Sequence, residues 1–169
     1  MKKTREIEIY VVDNDILFLE EFEKNFSHEK CSKPHAFSSV QKFLSELHEQ
    51  NYNNFSIVII NDMIISHGLN TKSVVEILPM IKNIDKEISV IILTDNDNRE
   101  LKISSSDLRP NAFIKKDKML YMKLTPTLNR IISRYELKKN IKNLHIIFVI
   151  ALIIIIISIA YFSIASILN

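Results

Sequence analysis

Glycine is nearly missing from this chain. Gly68 is the only one in 169 residues, where ordinary usage of ~7% would supply about twelve. Glycine-rich phosphate loops of the GxGxxG or GxxxxGKS/T kind are therefore excluded. Cys31 is the single cysteine, so no intramolecular disulfide can form. The histidines, His28, His35, His48, His67 and His145, stand at no zinc-like spacing with it or with one another, which argues against a structural metal. Excess charge of one sign is lacking too: a net charge of +2 gives no nucleic-acid footprint. A mean hydropathy of +0.07 describes a slightly greasy soluble protein, but that average conceals two unlike regions.

The second region lacks charge altogether. Every Lys, Arg, Asp and Glu falls at or before Lys142, so the final 27 residues carry no charged side chain. Ile146 to Leu168 is a run of 23 residues, eleven of them isoleucine, with Ser158, Ser163 and Ser166 as its clearly polar members. A helix of that length spans ~35 Å, enough to cross a hydrocarbon core of ~30 Å with some tilt. A domain this small could not cover such a helix on every side, so a transmembrane helix is expected over 146–168. Arg130, Arg134, Lys138, Lys139 and Lys142 precede it against one acid, Glu136, and only Asn169 follows it. That bias keeps the N-terminal side cytoplasmic. A span at the end of a chain is expected to insert after synthesis as a tail anchor, and it is not a signal peptide. Ala151, Ser158 and Ala165 recur every seven residues on one helix face, a stripe that would let a second copy approach as a homodimer. Chance placement on a monomeric anchor is the simpler account.

The rest of the chain alternates short apolar runs with longer amphipathic ones. Glu6 to Val12, a short run around Cys31 to Phe37, Ser56 to Ile60, Ser89 to Leu93 and Ala112 to Ile114 read as five strands. Ile16 to Phe26, Ser39 to Gln50, Thr71 to Ile84, a weak segment near Arg99 to Asp107, and Met119 onward read as helices. Strands one, three and four are continuous Ile/Val runs, the pattern of strands buried on both faces of a parallel sheet. The fold class is therefore α/β, a doubly wound five-stranded parallel sheet, with one C-terminal transmembrane helix. Ligand chemistry in such a sheet belongs at the carboxyl ends of the strands.

Those ends carry a pattern. Strand one ends in Asp13-Asn14-Asp15, strand three in Asn61-Asp62-Met63, strand four in Thr94-Asp95 and strand five in Lys115-Lys116-Asp117. Carboxylates, a hydroxyl and a lysine so placed suit a Mg²⁺-assisted phosphoryl site. At this point the sequence resembles the receiver domain of two-component response regulators, the CheY-like, flavodoxin-like fold. The stretches IYVVDND, FSSVQKFL, SIVIINDM, VIILTD and AFIKKD carry the resemblance, over residues 5 to 137. It implies that Asp13 and Asn14 fall on the family's acidic pair, Asn61 on its phosphoacceptor aspartate, Thr94 on its switch hydroxyl, Phe113 on its switch aromatic and Lys116 on its invariant lysine. Asp117 replaces the usual proline after that lysine, and the loop from Asn61 to Thr71 lacks the family's proline.

The departures fall on the chemistry. Two positions that are carboxylates in the family are amides here, Asn14 and Asn61, so the metal cage loses a full negative charge at each. An amide nitrogen forms no acyl phosphate, which excludes covalent phosphorylation at Asn61. Asp62 is the rival acceptor. Side chains alternate along a strand, so if Asn61 points into the site Asp62 points away, unless a bulge or slip exchanges them. The Ile/Val run before Asn61 and Met63 two residues after it favour Asn61 as the aligned position, and only its acidity favours Asp62. Lys116 is then expected to bond to Asn61 or pair with Asp13, and Asp15 to cap the helix from Ile16 rather than bind metal.

Smaller features follow. His67, Gly68 and Asn70 read as turn chemistry, Cys31 as a small buried hydrophobe, and Thr125-Pro126 as the cap and first residue of a helix. The expected division is a receiver-like domain over 1–137, a basic juxtamembrane segment over 138–145 and the membrane helix over 146–168. The expected function is that of a non-enzymatic pseudo-receiver, a signalling or adaptor protein on the bacterial inner membrane with its N-terminal domain cytoplasmic. It needs no cofactor and binds no nucleic acid, and its partners are proteins, a histidine kinase or another signalling protein. The resemblance implies docking on the fourth helix, fifth strand and fifth helix, or near the first helix. Two alternatives remain: an active, Mg²⁺-dependent phosphoreceiver of a two-component system using Asp62, and a tail-anchored oligomerising scaffold.

Overall fold

A computed structural model of the chain describes residues 7–49, 54–62, 74–95 and 109–168, with the side chains of 75 and 159–168 excepted. Its contacts divide it into two compact units, Met1–Thr127 and Leu128–Asn169. The elements run β1 (Glu8–Val12), α1 (Ile16–Asn25), β2 (His35–Phe37), α2 (Val40–Glu49), β3 (Ser56–Asn61), α3 (Val74–Ile84), β4 (Ser89–Thr94), β5 (Ala112–Lys115) and α4 (Leu120–Leu168). The expected helix near Arg99 to Asp107 lies outside the described residues, as do Met63, His67, Gly68 and Asn70.

The five strands form one parallel sheet in the order β2-β1-β3-β4-β5. β1 is therefore flanked by β2 on one side and β3 on the other, and the chain's winding reverses there, which opens a crevice at the strands' carboxyl ends. Register is continuous: Glu8 to Val12 stand opposite Ser56 to Ile60, Asn61 opposite Leu93 and Thr94 opposite Lys115. The Ile/Val runs satisfy two faces at once. Tyr10, Val12, Val58, Ile60, Val90 and Ile92 pack with Val40, Phe43 and Leu47 of α2 and with Ile77, Leu78 and Ile81 of α3. By the period of two, Ile9, Val11, Ile57, Ile59, Ile91 and Leu93 face the other side, and all are fully buried. In that layer the Phe22 ring of α1 meets Tyr121 of α4 at 5.7 Å.

Helix starts follow local chemistry. Asp15 caps α1, its carboxylate accepting the Phe18 N–H at 3.1 Å. The terminal helix, expected from Met119 onward, begins at Leu120. Asp117 organises that start: its side chain accepts the Met119 N–H at 2.9 Å and its backbone oxygen the Leu120 N–H at 2.9 Å. Thr125-Pro126 is therefore not a helix start. Pro126 lies inside α4, and the Thr125 hydroxyl donates back to the Tyr121 carbonyl at 3.2 Å instead of capping.

Along α4, Leu120, Leu124, Leu128, Ile131 and Ile132 are buried. From Glu136 to Ser158 every side chain is exposed. The helix is long and apolar enough to cross a membrane, with a stretch of mean hydropathy 2.5. Within that stretch the Ser158 hydroxyl donates to the Ile154 carbonyl at 2.9 Å.

Candidate functional site

The carboxyl ends of β1, β3, β4 and β5 bring two polar groupings together. The first centres on Asp13, only 1% exposed just after β1. Its Oδ1 accepts the Asp15 N–H at 3.0 Å, which ties the carboxylate to the turn leading into α1. Its Oδ2 accepts both the Asn61 amide at 3.0 Å and the Lys116 ammonium at 2.7 Å. Asn61 reaches it because residues 57, 59 and 61 of β3 share one face of the pleat. Lys116, just after β5, is fixed from two further directions: the Asp15 carboxylate lies 3.9 Å from Nζ, and the Phe18 ring centroid lies 4.0 Å beneath it.

The second grouping lies one residue along. Asp62 is buried, its N–H bonds to the Leu93 carbonyl at 2.8 Å, and its Oδ2 accepts the Thr94 hydroxyl at 2.6 Å. The pleat separates the two groupings. Asn61 turns to Asp13, whereas Asp62 turns to Thr94, the position likened to the switch hydroxyl. Phe113 of β5 is partly buried against the Tyr10 and Ile92 core, and Asn14 is half-buried at the bend after β1.

The donor set decides what this place can hold. A divalent cation of the Mg²⁺ type needs several hard oxygens, at least one carrying charge. Asp13 is the carboxylate at the Asn61 end, and a primary ammonium already sits 2.7 Å from its Oδ2. Asn14 and Asn61 supply neutral amides, and Asp62 is turned to a hydroxyl. Among the described residues no three His, Cys, Asp or Glu side chains converge. These residues do not suit Mg²⁺: Lys116 already occupies the buried charged oxygen, Asp13 Oδ2, and also stands 3.9 Å from the Asp15 carboxylate, so a cation would have to displace it. Phe18 went unremarked in the sequence. The signal available was an aromatic three residues after Asp15, in the first turn of a helix that opens at the strand ends.

No protein-family model matches the sequence, and no curated protein is significantly similar to it. Solved structures are similar in fold. A receiver domain protein from Clostridium thermocellum is 23% identical with a TM-score of 0.64, covering 78% of this chain and 98% of its own. A CheY-like receiver domain protein from Methanospirillum hungatei is 14% identical with a TM-score of 0.62, covering 78% of this chain and 98% of its own. The BeF3-activated receiver domain of DrrB, a Thermotoga maritima protein, is 23% identical with a TM-score of 0.57, covering 75% of this chain and 97% of its own. The chain has the receiver-domain, CheY-like fold.

Proposed function

We propose that this protein is a signalling domain of the two-component type that works without accepting a phosphoryl group. It acts as a pseudo-receiver adaptor for a protein partner, held on the cytoplasmic face of a bacterial inner membrane by α4. The observation that carries this reading is the Asp13 carboxylate, engaged by the Asn61 amide and the Lys116 ammonium together. A phosphoryl site needs a nucleophilic carboxylate beside a metal and a lysine free to meet the transferred oxygens. Here an amide stands at the nucleophile's position, and the lysine neutralises Asp13. Asp62 is a poorer candidate than its charge suggests, since its side chain lies on the opposite side of the pleat from Asp13 and holds Thr94.

The tether is supported by the exposed apolar side chains of α4 and by the cations that precede them. Water does not tolerate a surface of that size and composition, whereas a bilayer does. In this reading the receiver-like domain spans 1–137, the juxtamembrane segment 138–145 and the membrane helix 146–168.

Incubating the full chain in membranes with acetyl phosphate and Mg²⁺, followed by intact-mass measurement, tests the central claim. The expected result is no mass gain of one phosphoryl group. A stoichiometric adduct mapped to Asp62 would establish the active phosphoreceiver instead.

A further inference from the structure

The basic side chains of α4 lie mainly on one side. Steps of four residues advance ~40° around a helix, so Arg130, Arg134, Lys138 and Lys142 sweep an arc of about 120°. All four are exposed. His145, also exposed, falls near the middle of that arc, and the acid Glu136 falls roughly 180° from it. Lys139 lies about 60° outside the arc.

The helix is continuous from Leu120 to Leu168, so the rise sets the distance from each cation to the apolar run. Lys142 stands ~6 Å before Ile146, Lys138 ~12 Å and Arg134 ~18 Å. A headgroup layer is about 6 Å deep on each side of the hydrocarbon core, and salt screens a surface field over ~8 Å. Lys142 and Lys138 therefore stand where the field of an anionic leaflet is strong, with Arg134 at its fringe. The apolar run of ~35 Å also exceeds a ~30 Å core, which leaves room for some tilt. A lean towards the arc lowers its lysines into the headgroups, and Glu136 rises away from them.

Resting on the membrane tether read above, we propose that this face of α4, at the membrane-proximal end that carries Lys138 and Lys142, binds the headgroups of anionic phospholipids. The contact is between an ammonium and a phosphate oxygen, and the paired spacing lets one headgroup meet two cations. The arc adds to what the charge count gives: total charge favours cytoplasmic placement, and one-sided charge creates a place for a lipid.

The test is made on the full chain reconstituted in phosphatidylcholine vesicles containing a minority of phosphatidylglycerol. Spin-labelled analogues of the two lipids report which one lies beside the helix. The expected result is enrichment of phosphatidylglycerol by about fivefold, the factor one well-placed cation carries, abolished in 1 M salt where the screening length falls to ~3 Å. K138Q/K142Q loses that enrichment, and K139Q keeps it. Unchanged enrichment in K138Q/K142Q, equal loss in K139Q, or no enrichment in the unaltered chain overturns the lipid site while alkaline carbonate still leaves the protein in the vesicles. Release of the chain by carbonate overturns the tether, and the lipid site with it.

Discussion

Isoleucine has two fates in this molecule. In the sheet, Ile57, Ile59 and Ile91 are 0% exposed, whereas on α4 Ile156 and Ile157 are 63% and 62% exposed. The sheet isoleucines sit in strands covered on both faces, so each contributes the ~1.5–3 kcal/mol of a buried aliphatic side chain. Those of α4 from Ile141 to Ile157 are exposed and depend on the solvent they meet. The same residue type stabilises a fold in one region and selects an environment in the other, which is why hydropathy averaged over the chain describes neither.

The comparison breaks most readily in the core. Phe43→Ala, at a side chain fully buried between sheet and α2, is expected to cost about 3–5 kcal/mol, read as a fall in the urea midpoint of the full chain in micelles. Ile154→Ala on α4 is expected to shift that midpoint by no more than about 0.5 kcal/mol, and equal losses would mean that the two regions are one energetic unit. Next comes the charge pair. Lys116→Met strands the Asp13 carboxylate and is expected to cost roughly 2–3 kcal/mol, below the range of a fully buried pair because the lysine side chain is 18% exposed. Asp13→Asn combined with Lys116→Met should recover most of that loss in the same assay.

Asp15→Ala removes the cap of α1 and is expected to cost about 1 kcal/mol, detected as a smaller midpoint shift. The smallest effect belongs to Cys31, whose thiol burial pushes up from 9.0 to about 11. Its folded value exceeds its unfolded one, so its contribution to stability is complete below pH 9 and is lost as pH rises towards 11. Alkylation of the full chain at pH 8 should therefore be slow, and should accelerate steadily up to about pH 11. The thiol is half-buried with His28 Nδ1 3.4 Å away, so it is not the buried hydrophobe expected from the sequence, and fast labelling at neutral pH would show that it is not desolvated.

Much of the fold was legible because its signals are redundant. Three Ile/Val runs each end in polar residues, and strands β1, β3 and β4 match those runs to within two residues. The sequence places the start of α4 at Met119, one residue early, and the second start it offers at Thr125-Pro126 fails although a Thr-Pro pair has the form of a cap and first helical residue. Asp117, eight residues earlier, had already opened the helix, and one proline inside it forfeits a single backbone bond. At the strand ends the contact of Lys116 with Asp13 is one of the two that the sequence offers, the other being with Asn61. The bond between Asp62 and Thr94 is not offered, since it depends on the register that sets Asp62 beside Thr94 across β3 and β4. Phe18 was equally hidden: nothing in a one-dimensional reading shows that its ring lies under a lysine nearly one hundred residues away.

The Ser158 hydroxyl, bonded to the Ile154 carbonyl of its own helix, bears on how the protein would travel. A hydroxyl facing lipid with its proton unshared would pull a second helix in to satisfy it. Here the Ser158 hydroxyl meets that demand within its own helix, so under the proposed tether it would not hold a lone molecule back from lateral diffusion. Such a domain would search for its partner in two dimensions, sweeping the membrane surface rather than waiting within an assembled patch.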